Sequence, residues 1–337
     1  MRFLRRGGGE SEQPIEQRVD AFWTWWAGVR DGLAADIEAG TVPARTGEIS
    51  EEVHRLHAKL AWELGPGTSA RHAFNMSAEG NPEVRPVALR WAAAAPAPDA
   101  TWEYHPSRQP GPPQVLEIRG TRVSFSEVRA VTRWDEAREQ LDVGLWHPAF
   151  DGLPTEVKAQ ISFLFLDNLV GEDDVERWVG AIEADPEAEA GRTRDELRDE
   201  IRQRAESAKG ESWALIEGRD QHDDPVLVAF NSSLKRIDHP YAGEHLEVTI
   251  ERGLDEAAAD NEAIREAETQ LGGMLEGLAV EAAHVTDRRR RVTHYVTAEG
   301  ERALAAAREW ASRHREWGAK ASLEPDPTWS FRKSYGG

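Results

Sequence analysis

The sequence predicts an α+β protein of two domains, and three observations carry that reading. Its 337 residues exceed what one ordinary hydrophobic core serves. Amphipathic helical periods alternate with short, β-like apolar runs. A stretch of Asp, Glu, Arg and Ala over 185–210, almost free of large apolar residues, separates two series of such elements. The expected plan is a flexible tail over 1–15, an N-terminal α+β domain over 16–184, a charged, solvated linker helix over 185–210 and a C-terminal domain over 211–335.

The first helix is expected over 16–38, where Val19, Phe22, Trp23, Trp26, Val29, Leu33 and Ile37 recur at spacings of three and four. Gly40 and Pro43 end it, Ser50 is placed as the N-cap of a second helix through Leu60, and Gly65-Pro66-Gly67 stops that one. A strand over 72–77, a helix opened by Asn81-Pro82 and a strand over 101–105 form a β-α-β unit. After the proline- and glycine-rich loop 106–114, strands are expected over 115–118, 123–125, 128–134 and 140–146, followed by an apolar helix over 154–169. Residues 175–182 read either as a strand or as more helix, and the N-terminal domain as a β-α-β sandwich resembling the second domain, with extra helices in front. In that second domain, strands over 213–217, 225–231 and 245–251 precede a helix over 256–278. A strand pair over 280–286 and 292–297, a helix over 298–310 and a strand over 319–323 complete it. Strands, helix, strand pair, helix and strand suit a ferredoxin-like antiparallel sheet with helices on one face.

Composition narrows function by exclusion. Lys and Arg total 41 against 61 Asp and Glu, a net charge of −20 that argues against DNA as a partner and for solubility or attraction to a basic protein surface. The absence of cysteine removes disulfides, thiolate nucleophiles and cysteine-based metal sites. The basic start, residues 1–6, is followed by glycines at 7–9 rather than an apolar core, so no export signal is expected. No run is long enough to span a membrane, the longest apolar candidate being 161–170, and a cytoplasmic location follows.

Glycine loops that cradle phosphate or dinucleotides and nucleophile elbows are missing, so no catalytic residue, metal or cofactor is assigned. Arg288, Arg289, Arg290 and Arg291 form the one concentrated basic patch and fall at the tip of a predicted hairpin, suited to phosphate or an acidic partner. His284 and His294 flank that tip and are expected to face each other as an acid-base pair. Asp167, Glu172, Asp173 and Asp174 cluster after the apolar helix, as paired-carboxylate chemistry requires. His54 with His57, and the acidic turn Asp220–Asp224, are weaker metal-type groupings.

The runs Trp213–Ile216, Pro225–Asn231 and Arg291–Val296, and above all the ending Glu324–Phe331, resemble the bacterial domain-of-unknown-function family 695 over about 211–335. Phe22–Trp26, Ser77–Asn81 and Leu166–Asp173 resemble the region that often precedes that domain. The family is similar to, and sometimes fused with, the acidic, ferredoxin-like regulator-B protein that inhibits ribonuclease E by direct contact. The resemblance implies an acidic protein-binding modulator, carries no catalytic residue over, and implies that Trp213, Trp329 and Phe331 pack the second core. The expectation is therefore a non-catalytic regulator or inhibitor. A small-ligand sensor, and behind it a carboxylate/His enzyme, stand as alternatives, and oligomeric state is left open.

Overall fold

The computed structural model describes residues 13–118, 120–184, 186–208, 210–220, 222–252 and 258–335. The basic start, the glycines at 7–9, Asp185, Lys209, Gln221 and the expected helix start at Glu256 lie outside the described residues. The chain is α+β and divides into two compact units, Met1–Pro110 and Gly111–Gly337.

In the first unit, Val19, Phe22, Trp26 and Leu33 give α1 (Ile15–Ala39) its buried stripe. Gly40 ends it in left-handed backbone, at φ 71°, which glycine adopts without steric cost. A 3-10 turn over Val42–Arg45 starts the next helix earlier than expected, so Ser50 lies inside α2 (Thr46–Leu56) rather than capping it. Its hydroxyl instead accepts from the Trp62 indole at 3.0 Å. The segment read as a helix stop is a strand, β1 (Ala61–Pro66), antiparallel to β2 (His72–Ser77). From β2, α3 (Arg85–Ala93) leads to β3 (Trp102–His105), parallel to β2, so the β-α-β unit is present. Trp26, Trp91 and Trp102 sink completely into the core that α1 closes over this sheet.

The second unit opens with the hairpin β4 (Val115–Ile118) and β5 (Thr121–Ser124). Next, β6 (Arg129–Asp135) and β7 (Gln140–Trp146) pair antiparallel. The apolar helix α4 (Thr155–Val170) is followed by α5 (Glu172–Trp178) and by β8 (Val179–Ala184), which lies parallel to β7. The stretch left open between strand and helix is thus both in succession. The charged segment forms α6 (Arg194–Ser207), started by a capping box between Thr193 and Glu196. It is not a solvated spacer: Leu197 and Ile201, one turn apart, are buried in the same core as Leu145 and Phe165. Two apolar residues four apart suffice to seat a helix face, so the series of elements does not separate there.

The rest of the unit is one antiparallel sheet. Its strands are β9 (Trp213–Arg219), β10 (Pro225–Asn231), β11 (Glu244–Ile250), β12 (Val280–Thr286), β13 (Arg291–Thr297) and β14 (Lys320–Pro325). Helix α7 (Ala258–Leu275) follows β11, and α8 (Gly300–Arg313) follows β13. The spatial order is β14-β11-β13-β12-β10-β9. Leu246, Val248 and Ile250 of β11 pack under both helices, together with Leu271 of α7 and Ala307 and Trp310 of α8. On the opposite face, the C-terminal segment lays Trp329 against Leu234, Ala242 and Val296. Among the described residues, no helix is long and apolar enough to cross a membrane.

Candidate functional site

Directly opposed residues of neighbouring antiparallel strands share a face. The register therefore draws one row across the sheet: Ala321, Val248, Thr293, His284, Ala229 and Leu215. A second row runs Ile250, Arg291, Thr286, Leu227 and Glu217. The first row begins under the helices and ends in solvent, with Val248 2% exposed and Leu215 63% exposed. Width explains the change. Each helix is about 10 Å across and strands are spaced by about 4.8 Å, so two helices roof about four strands and leave β10 and β9 bare.

A polar cluster lines the boundary of that roof. His284 Nε2 lies 2.6 Å from Glu281 Oε1, and its Nδ1 lies 3.2 Å from the Thr293 hydroxyl. Arg291 reaches Glu268 of α7 at 3.5 Å and donates to Asn261 Oδ1 at 2.6 Å. Burial works against a charged His284, but the hydrogen bond and charge of Glu281, helped by Glu268, outweigh it and raise the imidazole above its ordinary range. Burial also raises the Glu268 carboxyl, which Arg291 only partly offsets. Such a histidine keeps its proton to higher pH than a free imidazole does.

Beyond the cluster lies the last strand. Among the described residues, β9 pairs with β10 alone and ends the sheet. Ala214 and Ile216 turn to the other face and pack with Val228 and Phe230, so alternation sends Trp213, Leu215 and Glu217 onto the bare strip. Trp213, expected in the core, is 38% exposed; its ring lies 5.7 Å from that of His284, and its indole donates to Glu211 at 2.8 Å. An apolar strip edged by Glu211 and Glu217 thus adjoins an unpaired strand backbone, a surface that an extended chain can extend by hydrogen bonding.

The other candidates are placed differently. His284 stands opposite Thr293, and His294 opposite Ala283, so the two histidines occupy opposite faces and form no acid-base pair. A one-residue change of register inverts every side chain of a strand, and the hairpin alone did not fix that register. His294 instead meets His245 of β11, its Nδ1 2.9 Å from His245 Nε2, both buried. The arginine run does form the β12–β13 tip, but as an internally held turn. Arg288 pairs with Asp224 at 2.9 Å, Arg290 with Asp287 at 3.1 Å, and Arg291 with Glu268. Arg289 contributes its backbone N–H to Asp287 Oδ1.

Asp167 and Glu172 are buried, whereas Asp173 and Asp174 are exposed. Gly171 breaks the chain between α4 and α5, and successive residues of α5 diverge by a hundred degrees or so around its axis, so the four acids do not converge. His54 is exposed on α2, while His57 leaves the helix in extended backbone and accepts from Lys59 N at 3.2 Å. In the β9–β10 turn, Asp220 Oδ1 accepts from the N–H groups of His222 and Asp224. Among the described residues, no three His, Asp or Glu side chains group so as to hold a metal ion.

Comparison with known proteins adds no identity: no protein-family model, curated protein or solved structure matches the chain. Leu215, Glu281 and Glu268 had not been singled out in the sequence. Leu215 sits in a run that reads as an ordinary strand, and only the position of that strand at the edge exposes it.

Proposed function

We propose that this protein is a non-catalytic, acidic regulator that binds a basic protein partner, and that the partner adds a strand along β9. One observation carries the reading: among the described residues β9 ends the sheet with an unpaired backbone edge, and Leu215, 63% exposed, stands beside it between Glu211 and Glu217. A net charge of −20 supports long-range attraction of a cationic partner, weakening as salt rises. The succession β11-α7-β12-β13-α8-β14 supports reading the C-terminal part as ferredoxin-like, with β10 and β9 appended at one edge. On that reading, the resemblance to family 695 and to the ribonuclease E regulator extends to mode of action, in the cytoplasm.

The test captures partners from native lysate with the tagged full chain and with Leu215→Lys, at low and moderate salt, and maps backbone amide exchange on the purified complex. The expected result is a stoichiometric basic protein that is lost as salt rises, lost with Leu215→Lys, and that protects amides 213–219. Equal capture by the variant, protection elsewhere, or no capture at low salt overturns the proposal. Protection of β9 that grows with concentration of the pure chain would instead make the occupant a second copy.

A further inference from the structure

Within the second unit a cleft of about 230 Å³ lies where the turn before β7, the 3-10 segment Arg236–Asp238 and the C-terminal segment Ser330–Tyr335 meet. Its lining is cationic in an otherwise acidic chain: Arg138, Lys235, Arg236, Arg332 and Lys333, against the single carboxylate of Glu176. Two of these charges are matched. Arg138 holds Asp135 and Asp142, both at 2.9 Å, and Arg236 pairs with Glu176.

Among the described residues, Lys235 and Arg332 form no ion pair, although the Glu139 and Asp238 carboxylates lie near enough to act on the Lys235 charge. Among the described residues their hydrogen bonds go to backbone carbonyls alone: Lys235 Nζ donates to Arg138 at 2.5 Å and Glu139 at 3.4 Å, and Arg332 to Leu234 at 2.9 Å and Asn231 at 3.3 Å. Carbonyls satisfy donors but do not cancel a net charge, and a half-buried cation without an ion pair is costly. Burial is the main reason the Lys235 ammonium is lowered to about 8, and the nearby Arg332 and Arg177 charges lower it further against Glu139 and Asp238. Arg332 is lowered by burial as well. The wall beside them is deliberate in its backbone. Trp329 sits at φ 53°, a left-handed conformation that non-glycine residues rarely adopt, and its indole donates to Ala242 O at 2.8 Å. Asp326 fixes that turn, accepting from Phe331 N and the Ser330 hydroxyl, each at 3.1 Å.

We infer that this cleft is a binding site for a phosphoryl group, with Lys235 and Arg332 as the paired cations and Lys333 at its rim. Two adjacent cations without an ion pair of their own favour a doubly charged anion over a singly charged one. A guanidinium fork beside an ammonium is the donor set that phosphate oxygens take best. The apolar side of the cleft, Leu234, Ile237 and Trp329, gives a short tail of a phosphate ester somewhere to lie. This site is separate from the β9 edge and does not depend on it.

The experiment is calorimetric titration of the full chain, at constant ionic strength, with inorganic phosphate, phenyl phosphate and acetate. Saturable one-to-one binding of a phosphoryl compound is expected, with acetate at least about tenfold weaker. Lys235→Gln and Arg332→Gln should each weaken it at least about tenfold, and the exposed Lys333→Gln, which leaves the fold alone, by a few-fold. Near pH 8, binding should take up protons, because an anion raises the depressed Lys235 ammonium, so the measured enthalpy should vary with the buffer's ionisation enthalpy. Tighter binding of phenyl phosphate would make the natural ligand an ester, and tighter inorganic phosphate the free ion. No phosphate-dependent heat at millimolar concentration, equal binding of acetate, or unchanged affinity in Lys235→Gln and Lys333→Gln would overturn the assignment.

Discussion

His245 and His294 stand 2.9 Å apart, Nε2 to Nδ1, on the face of the sheet that α7 and α8 leave open, and the ring of Phe331 stacks on both. Glu324, on β14, reaches His245 Nδ1 at 3.2 Å from a largely exposed position. Burial, together with the positive charge of neighbouring His245, His284 and Arg290, pushes the His294 imidazole down to about 3. A neutral pair can share one proton as donor and acceptor; a doubly protonated pair cannot. The His245–His294 hydrogen bond therefore needs one of the two facing nitrogens to be unprotonated, and protonating both rings breaks it.

The pH consequence follows from linkage. The folded His294 releases its proton far below its ordinary 6.5, so between those values the unfolded chain binds more protons and stability rises with pH. The contribution is complete above about pH 6.5 and falls as the solution is acidified, by roughly 2 kcal/mol on reaching pH 5. Urea unfolding of the wild type at pH 7.5 and 5 should show the loss. His294→Asn keeps an acceptor near the Nδ1 position without a titrating ring, and should show a shallower pH dependence. His72 and His147, lowered chiefly by burial, add to that slope, whereas His284, raised against its burial by the Glu281 hydrogen bond and charge, opposes it.

A second anchor lies in the first unit. The Glu103 carboxylate, 3% exposed, accepts from the backbone N–H of Thr68, Ser69 and Ala70, at 2.6, 2.8 and 2.9 Å, and from the Ser69 hydroxyl. Burial alone would raise it, but these donors and His105 outweigh burial and hold it far below the ordinary carboxylate range. Glu103→Gln turns one acceptor oxygen into a donor facing other donors. The expected cost is about 2–3 kcal/mol at pH 7, read by chemical denaturation, with faster amide exchange over 67–71. Because the folded carboxyl is depressed, the wild-type advantage over Glu103→Gln should shrink as pH falls through the acid range.

These anchors also mark what sequence could and could not supply. Local patterns located most elements, since β10 and β12 fall where alternation put them and α1 where its period did. The parallel pairing of β2 with β3 likewise followed from one helix between two strands. The sites were less legible because they depend on which strands become neighbours. His245 lies 49 residues before His294 and meets it only because β11 pairs with β13 across an intervening helix and strand. Leu215 is exposed because β9 is last in the sheet, and Arg332 matters because the chain's end folds back on the loop at 231–234. Charge density misled in α6, where Leu197 and Ile201 bury a face that the surrounding acids and arginines hide in any average.

In the core of the first unit, the Trp26 indole donates to the Tyr104 hydroxyl at 2.9 Å, and its ring meets those of Trp102 and Phe74 edge-on at 4.9 and 5.1 Å. Trp26→Leu removes about half of a fully buried ring system and should cost about 3–4 kcal/mol. Tyr104→Phe should cost about 1 kcal/mol. The double variant should fall short of the sum, because either change alone already breaks the shared hydrogen bond. Equilibrium denaturation of the four proteins closes the cycle, and strict additivity would show that the bond contributes nothing.

The arginine tip supplies the contrasting case. Arg288 and Asp224 join the β12–β13 tip to the β9–β10 turn at 2.9 Å, with the Arg288 side chain half exposed. Water and salt screen such a pair, so a double-variant cycle of Arg288→Ala and Asp224→Ala should give a coupling of no more than about 1 kcal/mol, smaller still in high salt. Arg291 should behave differently, since its side chain is only 14% exposed and it counters Glu268 beneath α7. Arg291→Ala leaves that carboxylate buried without its cation, and the expected loss is about 3 kcal/mol. Glu268→Gln placed on the same background should recover part of it, because a neutral amide needs no counter-charge there. Equal, small costs at Arg288 and Arg291 would show instead that the whole run is a solvated turn.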